Sequence, residues 1–337
     1  MSDAVLSVRN LSVSLQTGPG QARVVDELSF SLHSGEILGL VGESGCGKSI
    51  TAAALMGLVP ATAGIVEADE IMLGDKNLAQ LDEASLRRVR GSEISMIFQE
   101  PLTALDPVFS IGNHLSTVIR RHRGENRRQA KRSSVEMLER VGMADARRIM
   151  QSYPHQLSGG MRQRVMIAMA MACRPKVLIA DEPTTALDVT TQAQVLEQLR
   201  ELGQSFGTAI LLITHDLGVV AQTCDRALIM YCGRIVEESP VEALFTAPAH
   251  PYTAGLLAAV PRISSDGVQR VRAIPGLAPH PAALPDGCHF ADRCARADHQ
   301  CRTLTPRMQA VDGRKSNHRY ACHHPLSYPL SLPSDAD

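Results

Sequence analysis

The stretch Ile37-Leu38-Gly39-Leu40-Val41-Gly42-Glu43-Ser44-Gly45-Cys46-Gly47-Lys48-Ser49 decides the fold. A short apolar strand runs into a glycine-rich loop that fits G-x-x-x-x-G-K-[ST], and the next residues, Thr51-Ala52-Ala53-Ala54-Leu55-Met56, turn helical before Gly57. Glycines let consecutive backbone N–H groups turn inward around phosphate oxygens, and the helix N-terminus adds its dipole. In such a loop Lys48 reaches the β- and γ-phosphates and the Ser49 hydroxyl ligates Mg²⁺. Gly42, Ser44, Gly45, Cys46, Gly47, Lys48, Ser49 and Ile50 are the expected nucleotide contacts.

Outward from the loop, Val5 to Leu15 and Val24 to Leu32 read as strands, parted by a turn at Gly18-Pro19-Gly20. Buried-strand patterns recur at Val177 to Ala180, Ala209 to Ile213 and Ala227 to Tyr231, with a helix, Gln192 to Leu202, between the first two. Strands alternating with helices imply a mainly parallel α/β sheet. The charged stretch Leu102 to Arg162 interrupts it as a helical insertion, with Val118, Met137, Leu138 and Val141 at helical spacing. Val165 to Cys173 is apolar all round, as a buried helix should be. The strand Val177-Leu178-Ile179-Ala180 ends in Asp181-Glu182. Asp181 is placed to hold the Mg²⁺ shell, and Glu182 to orient or deprotonate a water. On its own, Glu182 reads equally as a surface acid beside Pro183.

Composition narrows the class. At 337 residues the chain has room for about two domains, or one large domain with an extension. With 44% apolar and 20% charged residues, wholesale disorder is out. A formal net charge of −1 argues against nucleic acid held by bulk charge, and five Tyr, six Phe and no Trp disfavour a base-stacking platform. The longest apolar run, Val165 to Cys173, is too short to span a membrane, and Met1-Ser2-Asp3-Ala4 lacks the basic start of a signal peptide. A cytosolic chain is expected, so its eight cysteines point to metal binding or burial, not a disulfide framework.

A second glycine pair, in Leu157-Ser158-Gly159-Gly160-Met161 followed by Arg162-Gln163-Arg164, opens the apolar helix and makes another anion-receptive N-terminus. With it the sequence resembles the ATP-binding cassette (ABC) family, whose signature is LSGGQ; here Met161 stands in place of Gln. The fold implied is a P-loop NTPase nucleotide-binding domain with a helical signature subdomain. The resemblance, over about residues 5 to 260, implies a head-to-tail dimer. In it Leu157, Ser158, Gly159, Gly160, Met161 and Asp188 would meet the nucleotide held by the other chain. It assigns Gln99 to the Q-loop, Ala186-Leu187-Asp188 to the D-loop and His215, after the strand Ala209 to Ile213, to the γ-phosphate switch. The implied catalytic set is Glu182, His215, Gln99 and Lys48, with Mg²⁺ held by Ser49, Gln99 and Asp181. Leu15 occupies the position where the family usually stacks adenine on an aromatic ring.

Finer stretches narrow the family. Gln99-Glu100-Pro101 to Leu105-Asp106-Pro107, Pro154-His155-Gln156 leading into the signature, and His250-Pro251-Tyr252-Thr253 resemble the ATPases of bacterial dipeptide and oligopeptide importers, of the dipeptide-permease D-subunit type. That resemblance implies a second, different ATPase subunit, two permeases docking near Gln99 and the helical insertion, and an external substrate-binding protein. It also implies a peripheral place on the cytoplasmic face of the membrane. A related importer for nickel or another small solute, or a soluble non-transport ABC ATPase, are the alternatives.

Residues 1–262 form the expected nucleotide-binding domain, and 263–337 a Pro-rich extension. In that extension Cys288, Cys294, Cys301 and Cys322 follow C-x5-C-x6-C-x20-C, where a metal staple would replace a core. Four thiolates suit Zn²⁺ or an iron–sulfur cluster, and similar importer tails imply [4Fe–4S]. His289, His299, His318, His323 and His324 could replace a thiolate in a zinc site. Cys46, Cys173, Cys224 and Cys232 read as buried free thiols. The basic run Arg120 to Arg132 reads as a solvated helix face, with lipid headgroups as the alternative partner.

Overall fold

The computed structural model describes residues 4–17, 20–99, 104–185, 187–260, 263–264, 267–268, 273–311 and 317–326. The turn at Gly18-Pro19 lies outside these residues.

Two long strands, β1 (Ala4–Thr17) and β2 (Gly20–His33), pair antiparallel. After β3 (Ile37–Val41) the chain passes through the glycine loop into α1 (Lys48–Leu55). Three short strands follow: β4 (Gly64–Glu67), β5 (Glu70–Leu73) and β6 (Lys76–Asn77). They join β1 and β2 in an antiparallel sheet. Helix α2 (Glu83–Val89) then leads to β7 (Ile94–Ile97). The sequence pattern did not show β4 to β7, because four residues or fewer with Gly and Glu among them carry no alternation to read.

The insertion is helical, as its spacing predicts: α3 (Ile111–Arg123), α4 (Arg127–Arg140) and the short α5 (Ala146–Ile149). Ser110 caps α3 and Asn126 makes a capping box with Gln129 on α4, so each helix begins where its orphan N–H groups find acceptors. Helix α6 (Gly159–Met171) follows and is buried on nearly all sides from Val165 onward.

The rest alternates: β8 (Val177–Asp181), α7 (Val189–Phe206), β9 (Ala209–Thr214), α8 (Leu217–Thr223), β10 (Arg226–Tyr231) and β11 (Arg234–Pro240). Strands β10, β3, β9, β8 and β7 lie side by side and parallel. Alternate residues of each strand enter different cores. Ile37, Ile210 and Leu178 face the helical side, whereas Leu38, Leu211 and Ile179 face α1 and the antiparallel sheet. That two-sided burial explains why these strands read as unbroken apolar runs.

Helices α9 (Val241–Thr246) and α10 (Pro251–Ala258) close the nucleotide-binding part. Beyond it regular structure among the described residues is sparse, as the prolines predict: the two-residue strands β12 (Ile263–Ser264) and β13 (Gly267–Val268), α11 (His299–Thr303), β14 (Gln309–Ala310) and β15 (Arg319–Tyr320). The extension is nevertheless fastened to the main sheet, since β15 pairs with β11. Buried Glu237 accepts from the N–H groups of Ala249 and His250 and pairs with His318 Nε2 at 2.7 Å. Phe290 packs edge-on against Tyr231, with ring centroids 5.2 Å apart, and lies tilted on Tyr252. Among the described residues no helix is long and apolar enough to cross a membrane.

Candidate nucleotide site

Two glycines make the loop possible. A Cβ on Gly42 would stand 2.2 Å from the carbonyl oxygen of Met230, and Gly47 adopts φ 110°, where a side chain is strained. The loop closes on Lys48, whose Nζ donates to the carbonyls of Gly42 (2.8 Å) and Glu43 (3.0 Å). Cys46 is buried beneath it, with burial pushing its thiol up. At the start of α1, Ser49 Oγ donates to Asp181 Oδ1 at 3.2 Å. A hydroxyl and a carboxylate so placed are the oxygen donors a Mg²⁺ ion takes. Burial pushes the Asp181 carboxyl above its usual range, against the Ser49 hydrogen bond and the Lys48 charge, and a bound cation would reverse that.

Beside this pair, Glu182 is the focus of a converging set. It has φ 46°, rare for a non-glycine residue, and its N–H donates to Ile213 of β9. One carboxylate oxygen lies 3.1 Å from His215 Nδ1. The other accepts from Gln99 Nε2 at 3.2 Å and Thr185 Oγ1 at 2.8 Å. Burial raises its pKa, but the His215 and Thr185 hydrogen bonds and the His215 and Lys48 charges outweigh that and hold it below the ordinary carboxylate range. Glu182 is therefore ionised at neutral pH, as a base must be. The surface-acid reading of this residue is set aside by those partners. Thr185 was missed from sequence, because a hydroxyl three residues beyond an acid has no signature of its own.

The signature segment presents a surface. Ser158 caps α6 by accepting from the Met161 N–H, and Ser158 and Gly159 are exposed. Asp188 caps α7 through Thr191, and a Cβ on Gly160 would meet the Thr191 methyl at 2.7 Å, so Ser158, Gly160 and Asp188 share one edge. Leu157 differs from the rest: it is only 5% exposed and its side chain belongs to the core. Ala186 of the D-loop, and Glu100-Pro101-Leu102 after Gln99, lie outside the described residues. Leu15 sits half-buried on β1, opposite Gly64, packed into the core that faces α1. Ile50 is half-buried on the same side.

In the extension, Cys288, Cys294, Cys301 and Cys322 line one small cavity together with His250, Phe290, His323 and His324. Buried His250 Nε2 has no partner there. Burial raises the pKa of Cys288, Cys301 and Cys322, the last to about 12, and the neighbouring thiols add to it. Four thiols that repel one another when ionised, beside an orphaned ring nitrogen, fit a cationic metal group. Among the described residues the trio of donor atoms within 4.8 Å of one another is Asp298, Cys301 and His324. Three other histidines of the tail have partners of their own: His289 meets the Cys232 carbonyl, His318 meets Glu237 and His323 meets the Leu304 carbonyl. Cys46 and Cys224 are buried as expected, whereas Cys173 and Cys232 are only half-buried.

Comparison with known proteins agrees with this geometry. A family model described as ABC transporter matches residues 25–185, and one described as the oligopeptide/dipeptide transporter C-terminal region matches 236–301. The oligopeptide transport ATP-binding protein AppD of Bacillus subtilis (strain 168) is 49% identical over 304 residues, 90% of this chain and 92% of that protein. OppD of Escherichia coli (strain K12) is 47% identical over 325 residues, covering 96% and 94%. Among solved structures, a post-hydrolysis dimer of the ATP-binding cassette MJ0796 bound to ADP and Pi superposes with a TM-score of 0.61 at 26% identity, over 70% of this chain and 98% of that one. These relatives are named for oligopeptide transport, and the dipeptide-specific D subunit is not distinguished among them. The chain belongs to the ABC transporter ATPases, among the ATP-binding proteins of oligopeptide transport.

Proposed function

We propose that this chain hydrolyses ATP to energise the import of di- and oligopeptides, working beside a second ATPase subunit beneath two permeases fed by an external binding protein. The observation that carries the hydrolytic part is the convergence of Gln99, Thr185 and His215 on the Glu182 carboxylate, next to the Ser49–Asp181 pair. Lys48 binds and orients the phosphates, while Gln99 and Thr185 fix the face of Glu182 that takes a proton from water. His215 holds the other oxygen and would contact the γ-phosphate. Mg²⁺, when bound by Ser49, Asp181 and Gln99, supplies charge neutralisation of the phosphates. Positioning and electrostatics do most of the work in such a transfer.

Ser158, Gly159, Gly160, Met161 and Asp188 are read as the edge offered to the partner's nucleotide, with the buried Leu157 supporting it from below. Exposed Phe98 (45%), Val108 (70%) and Phe109 (49%) flank Gln99 and the start of the insertion, which supports permease docking there and a peripheral place on the cytoplasmic face of the membrane. The division at residues 1–262 and 263–337 is kept as a functional one, since β15 and Glu237 bind the extension to the main sheet.

Cys288, Cys294, Cys301 and Cys322 would hold a [4Fe–4S] cluster, which supplies the cross-link a segment without its own core needs. The shared cavity supports one group held by all four, and the sequence spacing, which has no C-x₂₋₄-C pair, supports the cluster over zinc. Iron and acid-labile sulfide should be stoichiometric in protein purified without air and lost in Cys288→Ser; zinc in their place, or no metal, would remove the cluster.

The functional test is uptake of a labelled tripeptide by the complete transporter in proteoliposomes, with MgATP supplied on the ATPase side. Uptake should require ATP and stop with Glu182→Gln. ATP-driven uptake of Ni²⁺ with none of peptide would replace the peptide reading with the small-solute one.

A further inference from the structure

The Walker-type loop is not completed by the nucleotide-binding part alone. Glu43, its second residue, is held at three points. Its carbonyl accepts from Lys48 Nζ, its N–H donates to Tyr252 Oη at 3.0 Å, and its carboxylate is gripped from the far end of the chain. Arg293, 250 positions away, donates Nη1 to Glu43 Oε2 at 2.6 Å and Nη2 to Oε1 at 3.0 Å, a two-pronged pair.

Arg293 is built for this. Its side chain is 5% exposed, its guanidinium lies over the Tyr231 ring 5.7 Å from the centroid, and its Nε donates to the Pro275 carbonyl. Burial works against its charge, but the Glu43 carboxylate and the Tyr231 hydroxyl hold its pKa above the usual arginine value. A cavity of about 230 Å³ separates the loop residues Ser44 and Gly45 from Pro279, His280 and Leu284 of the extension, so the extension also walls the loop's outer side.

Electrostatics gives this contact a consequence. Glu43 places a carboxylate on the backbone that cradles phosphates, where an uncompensated negative charge opposes a polyanion. We propose that Arg293 is a positioning residue for the nucleotide site, neutralising Glu43 so that the C-terminal extension sets the affinity of the phosphate loop for MgATP. The proposal rests on residues 42–49 being that loop.

The test uses the full-length chain and a fluorescent MgATP analogue titrated to equilibrium. Arg293→Gln keeps donors for the carbonyls around it but loses the charge. It should weaken binding on the order of tenfold, about 1.4 kcal/mol. Glu43→Gln alone removes the carboxylate and serves as the reference for the double variant. The double variant Arg293→Gln/Glu43→Gln should recover binding to within threefold of Glu43→Gln, because no charge is then left to compensate. Melting temperatures measured in parallel separate this from simple fastening of the extension, which the second substitution does not restore. Binding by Arg293→Gln within twofold of wild type, or a double variant as weak as Arg293→Gln, overturns the proposal. Failure of the wild-type chain to bind MgATP would instead overturn the reading of the loop itself.

Discussion

Thr185→Val isolates one hydrogen bond at the reacting end of the site. The Thr185 hydroxyl donates to Glu182 Oε2 at 2.8 Å, and valine keeps the branched shape without the donor. A hydrogen bond to a charged group contributes about 1.5–3 kcal/mol. Thr185 is exposed, which puts the effect near the lower bound, and about 1.4 kcal/mol corresponds to tenfold in rate. Because the hydroxyl acts through Glu182, the loss should fall on the chemical step and leave the ATP affinity unchanged. Its removal also raises the Glu182 pKa, from below the ordinary carboxylate value back toward it. That is still far below neutrality, so raising the pH should not restore the rate. The assay is single-turnover ATP hydrolysis by the assembled transporter from pH 6.5 to pH 8.5, taken as working values around neutrality where a glutamate is fully ionised, about three units above its pKa. Thr185→Ser, which keeps the hydroxyl, should hydrolyse at nearly the wild-type rate. A Thr185→Val rate within twofold of wild type, or an equal loss in Thr185→Ser, would refute the orienting role.

Other substitutions probe the rest of the frame. Gly42→Ala forces a Cβ to within 2.2 Å of the Met230 carbonyl, so the loop must move. Calorimetry should find MgATP binding lost, with stability lowered by about 1–3 kcal/mol. Gly160→Ala pushes α6 against the Thr191 methyl at 2.7 Å and also fills the edge offered to the partner. Adding Thr191→Ser should recover melting temperature but not ATP turnover; recovery of both would make Gly160 a packing residue only. Glu237→Gln puts a side-chain N–H against a backbone N–H in a carboxylate pocket that accepts from Ala249, His250 and His318. About 2–3 kcal/mol should be lost, seen as a fall of several degrees in the first thermal transition.

What could be read ahead of the structure followed a physical rule. The parallel strands were legible because both faces are buried, and Gly42 and Gly47 because nothing else fits a backbone that tight. Asp181 and Glu182 were legible as acids at the end of an apolar strand. Long-range pairings were not. Nothing in Glu43 announces Arg293, and Glu237 lies in a strand whose other acid, Glu238, pairs with Arg226, so which acid would be fully buried by the tail was invisible. Leu157 shows the opposite limit: a motif letter gave its place in the signature but not the direction of its side chain, which faces the core. The three short strands of the antiparallel sheet escaped because β4, β5 and β6 take their register from β1 and from each other, not from a pattern of their own.

The most direct test of the account is ATP turnover against ATP binding in Glu182→Gln, measured on the assembled transporter. Glutamine keeps the size and, through its one oxygen, can still accept from Gln99 and Thr185, but it cannot take a proton. Binding of MgATP at wild-type affinity with hydrolysis slowed at least ~100-fold, and ATP-bound dimers accumulating, is the predicted result. Wild-type turnover by this variant would contradict the assignment of Glu182 as the base and, with it, the mechanism built around that residue.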